Sequence, residues 1–156
     1  MITNDPIEDT AGWRFALEGR LDPAAAVAAS GEISIARPPH VVWGLLYDVE
    51  NWPHIRADVQ GMVDLEGGGF TWSAGPIVVR SRFALTEPGR LLTWCTHGDG
   101  LEAVHLYRFE AVGPNTRLTA AESMTGPLAL QALTNAQLTA RIASWLEGIK
   151  ALAESR

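Results

Sequence analysis

Leu101-Glu102-Ala103-Val104-His105-Leu106-Tyr107-Arg108-Phe109-Glu110-Ala111-Val112, then Gly113-Pro114, then Asn115-Thr116-Arg117-Leu118-Thr119-Ala120-Ala121-Glu122-Ser123-Met124-Thr125, is the stretch on which the fold turns. A strand sends alternate side chains to opposite faces. In the first half, Ala103, His105, Tyr107 and Phe109 share one parity, against Glu102, Arg108 and Glu110 on the other. In the second, Leu118, Ala120, Glu122 and Met124 oppose Arg117, Thr119 and Ser123. Two strands joined by a tight hairpin at Gly113-Pro114 follow, with the apolar parity inward. Glu122 is the charged exception on the inner face.

Working towards the N-terminus, Gly98-Asp99-Gly100, Pro88-Gly89, Gly75-Pro76 and Gly67-Gly68-Gly69 separate further strands near 91–97, 77–87, 70–74 and 58–65. Connections this short make antiparallel hairpins and leave no room for crossover helices. Another strand spans 32–37, and Pro38-Pro39 stops it. Pro39 suits the first turn of a helix reaching about residue 49, and Asn51-Trp52-Pro53 opens a second short helix. Towards the C-terminus, Gly126-Pro127 introduces one long helix over 127–153. Leu138, Ile142, Trp145, Leu146, Ile149 and Leu152 recur there at three- and four-residue intervals, while Arg141, Ser144, Glu147 and Lys150 are free to face water. At 1.5 Å per residue, roughly 25 residues would extend about 38 Å. The class is α+β, with about seven strands in a curved antiparallel sheet around the C-terminal helix. Residues 1–30 read as an extension ahead of a domain over 31–156. Trp13, Phe15 and Leu17 alternate there like an edge strand, and Asp22-Pro23 suits the start of a short helix.

Counting back from each turn gives registers. Gly113-Pro114 sets Phe109 opposite Leu118 and His105 opposite Glu122; Asp99-Gly100 sets Trp94 opposite His105; Pro88-Gly89 sets Phe83 opposite Trp94. One inward row then reads Phe83, Trp94, His105, Glu122. Its neighbour reads Phe70, Ser81, Thr96, Ala103, Met124.

The segment Ile35-Ala36-Arg37-Pro38-Pro39-His40-Val41-Val42-Trp43, continuing to Asp48-Val49-Glu50-Asn51-Trp52-Pro53, resembles the opening of START-like proteins of the SRPBCC superfamily. Phe70-Thr71-Trp72, Pro88-Gly89-Arg90-Leu91-Leu92-Thr93-Trp94, 103–109 and 116–126 are similar to later strands of its polyketide cyclase/dehydrase-like branch. The resemblance covers about residues 31–153. It implies a helix-grip fold with a cavity between sheet and C-terminal helix, in a superfamily of lipid carriers, allergens, cyclases and chaperone co-regulators. Fold alone does not assign the reaction.

Composition narrows the options. The 156 residues are 47% hydrophobic and 19% charged with net charge -6, as in an ordinary globular domain. The acidic balance argues against nucleic acid. The acidic start, with Asp5, Glu8 and Asp9, lacks the pattern of a secretory leader, and no apolar run is long enough for membrane insertion, so a cytoplasmic location is expected. Eleven arginines against one lysine fit a GC-rich, bacterial source. The lone Cys95 rules out an internal disulfide. His40, His54 and His97 lack spaced partners, so neither a metal site nor another cofactor is expected. The six tryptophans call for a large apolar interior or an apolar ligand surface.

His105 and Glu122 are the most chemical pair. They are candidates for orienting a ligand, for moving a proton during enolisation or dehydration, or for satisfying one another and nothing else. Phe70, Trp72, Ser81, Phe83, Trp94, Thr96, Ala103, Tyr107, Ala120 and Met124 are the candidate ligand-binding residues. For each aromatic ring, plain core packing is the competing reading. Trp52 suits either a cap over the cavity mouth or a turn anchor. The expected partner is a hydrophobic small molecule, polyketide, aromatic or lipid-like. The alternatives are an aromatase/cyclase or dehydratase-like enzyme using His105 and Glu122, and a protein-interaction module resembling co-chaperones. The oligomeric state stays open, a homodimer included.

Overall fold

A computed structural model describes residues 7–65, 69–98 and 100–156. The readings of Asp5, of Gly67-Gly68 and of Asp99 lie outside them. A seven-stranded antiparallel sheet runs in the order β1-β7-β6-β5-β4-β3-β2. Its strands are β1 (Val27–Ile35), β2 (Val59–Leu65), β3 (Gly69–Ala74), β4 (Ile77–Glu87), β5 (Leu91–Gly98), β6 (Leu101–Val112) and β7 (Asn115–Thr125). Five α-helices accompany it: α1 (Ala11–Glu18), α2 (Pro39–Tyr47), α3 (Trp52–Ile55), α4 (Pro127–Ala132) and α5 (Asn135–Glu154). This is the helix-grip arrangement: α2, α3 and α5 pack on the inner face over one large apolar core.

The inward rows pair as the turns dictate. Phe83 faces Trp94, Trp94 faces His105, and His105 faces Glu122. Phe70, Ser81, Thr96, Ala103 and Met124 align likewise. One register arises differently from the simple count. Thr86 pairs with Leu92 and Glu87 with Leu91, so the turn holds Pro88, Gly89 and Arg90. A bulge then sets Ala84 and Leu85 against Thr93 and restores the alignment at Phe83. The Thr93 hydroxyl accepts from the Leu85 N–H at 2.9 Å, which satisfies a donor at that irregularity.

Five expectations need correction. Trp13, Phe15 and Leu17 lie on helix α1, not on a strand. Thr10 caps it by accepting from the Trp13 N–H, and Gly19, at φ 69°, ends it in the left-handed conformation. The face that docks carries the small residues Gly12 and Ala16, so alternation of the large ones was a poor guide. Asp22-Pro23 starts no helix. Asp22 Oδ1 accepts from the Ala24 N–H in a turn, and β1 then runs from Val27 to Ile35 rather than over 32–37.

The long C-terminal helix is two helices. Thr134 interrupts it as the N-cap of α5, accepting from the Gln137 N–H while the Gln137 side chain accepts from the Thr134 N–H. The remaining 20 residues extend about 30 Å. Finally, Arg141 does not simply face water; it is half-buried and lines the interior cavity.

Helix α1 lies on the outer face of the sheet, over β4, β5 and β6. Ile7, Ala16, Cys95 and Val104 form a second small core there. Polar contacts hold the helix down: the Gly12 N–H donates to Glu102 Oε1 at 2.6 Å, and the Thr93 hydroxyl donates to the Ala16 carbonyl at 2.9 Å. Arg82, on the outward parity of β4, pairs with Glu8 at 2.9 Å and sits over the Trp13 ring.

Candidate functional site

Trp52 organises the inner face. The proline after it suits the first turn of α3, and its indole N–H donates to the Leu46 carbonyl at 2.8 Å. It is fully buried, with ring centroids 5.2–5.3 Å from Phe70, Trp72, Trp94 and Trp145. It is therefore a core centrepiece rather than a cap over an opening.

Beside this cluster lies a cavity of about 50 Å³. Its apolar lining includes Val59, Val79, Leu101, Trp145 and several residues of the two inward rows. Of the candidate residues, Trp72, Trp94, Thr96, Ala103, His105, Tyr107, Glu122 and Met124 line it; Phe70, Ser81, Phe83 and Ala120 do not. Phe70 and Phe83 meet at a tilt with centroids 5.2 Å apart; Phe70 sits edge-on to Trp52 in the core, and the half-buried Phe83 packs against it and against Tyr47. Ala120 is likewise core. Ser81 stands behind the wall, in the hydrogen-bond chain described below. Sequence reasoning passed over Arg56, Val59, Ala74, Ile77, Val79, Leu101, Arg141 and Trp145. Their signal was weak, because Val59, Ala74, Ile77 and Leu101 stand at strand ends, while Arg56, just past α3, and Arg141 and Trp145, on α5, are placed by how the helices sit on the sheet, a tertiary property.

A line of hydrogen bonds crosses the two rows. The Trp72 indole N–H donates to Ser81 Oγ at 2.9 Å. Ser81 Oγ lies 2.8 Å from Thr96 Oγ1, and Thr96 Oγ1 lies 3.0 Å from His105 Nε2. On its other side His105 Nδ1 is 3.2 Å from Glu122 Oε1. An indole N–H only donates. If the direction continues, the Ser81 hydroxyl donates to Thr96, the Thr96 hydroxyl donates to Nε2, and the imidazole proton sits on Nδ1, on the side of the Glu122 carboxylate. In the reverse direction Ser81 accepts twice and its own hydrogen meets no acceptor among the described residues. The forward direction satisfies every member, as buried polar groups require.

Two neutral donors on the wall remain unspent. The Trp94 indole N–H is buried and has no acceptor among the described residues; such a donor costs about 1–3 kcal/mol. The Tyr107 hydroxyl has no hydrogen bond among them either. Burial, with the Glu122 charge adding to it, holds that phenol above its ordinary value, so it stays an O–H. At the cavity margin, Arg56 is engaged by Asp58 through two bonds of 2.8 and 2.9 Å. Arg141 has no carboxylate within ion-pair distance among the described residues. No group of three or more His, Cys, Asp or Glu side chains that could hold a metal occurs among the described residues, and none of their helices is long and apolar enough to cross a membrane.

The sequence profile of the family described as polyketide cyclase / dehydrase and lipid transport matches residues 26–154. The chain belongs to that family. Among curated proteins nothing matches the sequence. Solved structures agree on the START-like fold. A START superfamily protein from Mycobacterium smegmatis superposes with a TM-score of 0.70 at 11% identity, covering 82% of this chain and 97% of that one. A hypothetical protein from Helicobacter pylori gives 0.70 at 18% identity, over 84% and 90%. The Zhui aromatase/cyclase from a Streptomyces species gives 0.66 at 16% identity, over 83% and 94%. At such identities the likeness establishes the fold alone. For this polyketide cyclase/dehydrase family member, α1 and residues 7–25 lie outside the family match.

Proposed function

We propose that this chain binds a small, mainly apolar molecule in the cavity between the sheet and α5, with the His105–Glu122 pair fixing the polar side of the wall. The supporting observation is the lining itself: four aromatic residues, Trp72, Trp94, Tyr107 and Trp145, surround a space whose wall also carries a buried imidazole, His105, in ion-pair contact with the half-buried Glu122. Apolar contact at about 25 cal/mol per Å² would supply most of the affinity. Pockets for drug-sized ligands measure roughly 300–1,000 Å³, so a space of about 50 Å³ suits part of such a ligand. A polyketide or lipid would have to displace side chains at the margin formed by Arg56, Ile77 and Arg141.

Binding is favoured over catalysis by one feature. Both nitrogens of His105 are engaged within the protein, at 3.0 Å by Thr96 and 3.2 Å by Glu122, which leaves no imidazole atom ready to take a substrate proton. The enzymatic reading, proton transfer in a cyclisation or dehydration, rests on Glu122, a carboxylate that lines the cavity and has one oxygen outside the His105 contact.

The test is ligand-observed NMR with ethylbenzene, alongside native mass spectrometry of the gently purified protein. Ethylbenzene should bind the wild type and not Ala103→Trp, which places an indole where a buried methyl group now lines the cavity. Equal binding by a folded Ala103→Trp variant would remove the cavity from consideration.

A further inference from the structure

Resting on the binding reading above, we infer that the ligand carries a neutral carbonyl oxygen, which accepts a hydrogen bond from the indole N–H of Trp94 and a second from the Tyr107 hydroxyl. The starting point is an imbalance of donors. Trp43, Trp52 and Trp72 each donate their indole N–H within the protein, to the Leu91 carbonyl, the Leu46 carbonyl and Ser81 Oγ. Trp94 is 2% exposed, lines the cavity, and is the residue whose buried N–H has no acceptor among the described residues. Folding pairs such groups wherever it can. An unpaired one on a residue that lines a cavity is a donor to which an entering acceptor can be matched.

Tyr107 sharpens the assignment. Its ring stacks on that of Trp94 with centroids 5.0 Å apart, it lines the same cavity, and its hydroxyl is also unspent. Two unspent donors suit an oxygen with two lone pairs and no hydrogen of its own, which describes a carbonyl. A carboxylate would stand near Glu122, whose partner His105 stacks on Trp94 at 4.7 Å, and like charges repel there. A pure hydrocarbon would leave the Trp94 donor unpaired.

The experiment compares three probes of similar size, ethylbenzene, acetophenone and phenylacetate, titrated into the intact protein and followed by ligand-observed NMR and by the indole N–H signals. Acetophenone should bind about 2- to 10-fold tighter than ethylbenzene, the range of one net hydrogen bond, and tighter than phenylacetate. It should move the Trp94 indole signal downfield, whereas ethylbenzene should not. Trp94→Phe, checked for folding by its dispersed amide spectrum, should erase the preference while keeping ethylbenzene binding; Tyr107→Phe should reduce it. The wild-type indole shift decides the matter even if a variant fails to fold. Ethylbenzene binding as tightly as acetophenone, or a preference that survives Trp94→Phe, overturns the inference and leaves the cavity reading standing. Phenylacetate binding more tightly than acetophenone overturns the neutral carbonyl. If none of the probes binds, both readings fall.

Discussion

The imidazole of His105 lies against the indole of Trp94 with ring centroids 4.7 Å apart and planes 12° from parallel. The stack holds the ring in plane while a hydrogen bond at Nε2 and the ion-pair contact of Nδ1 with Glu122 set its rotation. Thr96→Val should therefore act on the proton position. The wild type should show one tautomer, with the proton on Nδ1, in long-range proton–nitrogen spectra. Thr96→Val, which leaves Nε2 without its donor, should show a mixture and lose about 1–3 kcal/mol; Thr96→Ser should restore the single form. A wild-type proton on Nε2 would reverse the direction assigned to the Trp72–Ser81–Thr96 chain.

Gly148 sits inside α5, where replacing glycine by alanine ordinarily gains up to about 1 kcal/mol. Here a Cβ would overlap the Ile55 backbone carbonyl, which a rigid helix-to-helix contact cannot yield cheaply. Gly148→Ala is expected to destabilise by about 1–3 kcal/mol, read as a lower urea midpoint. An unchanged or raised midpoint would show that α3 moves away from α5 without cost.

Burial pushes the Cys95 thiol from 9.0 up to about 11, with Glu102 adding to the shift and the Thr10 hydroxyl opposing it. Because the folded value is the higher, the folded state holds the proton longer. Its contribution to stability is complete below pH 9.0 and declines as pH rises towards 11. Two pH units correspond to on the order of 2–3 kcal/mol. Cys95→Ala should flatten that alkaline decline relative to wild type in paired chemical denaturation curves. Parallel curves would mean that another group carries the alkaline loss.

Removing residues 1–21 takes away α1 and uncovers Cys95 and Val104 on the outer face. The remaining chain keeps β1 and the inner core, and should still unfold cooperatively, with Cys95 now open to a thiol-reactive dye that leaves the full-length protein untouched. A truncated chain that fails to fold would make the helix an integral part of the domain instead of an addition to it.

Thr134→Ala should cost about 1 kcal/mol and increase amide exchange in the first turn of α5, because the threonine side chain and Gln137 satisfy each other's backbone donors there. Exchange unaltered at residues 135–138 would assign the helix start to packing alone.

The hairpin-linked strands from β2 to β7 and their inward rows were legible in the amino-acid sequence because glycine and proline turns restrict backbone geometry locally, and period-two alternation then propagates register along each strand; the place of β1 beside β7 was not. His105 facing Glu122 follows from counting residues about Gly113-Pro114. The capping box at Thr134 was also written there and was overlooked in favour of unbroken helical periodicity. Tertiary structure alone decided where the helices lie. The Trp52 ring fills the middle of the concave side, separating core residues such as Phe70 and Phe83 from cavity residues such as Trp94 and Ala103 of the same two rows. Tertiary packing likewise turns Arg141 towards the cavity and lays α1 over Cys95. Such choices depend on how volumes fit between elements distant in the chain, which no local pattern of residues encodes.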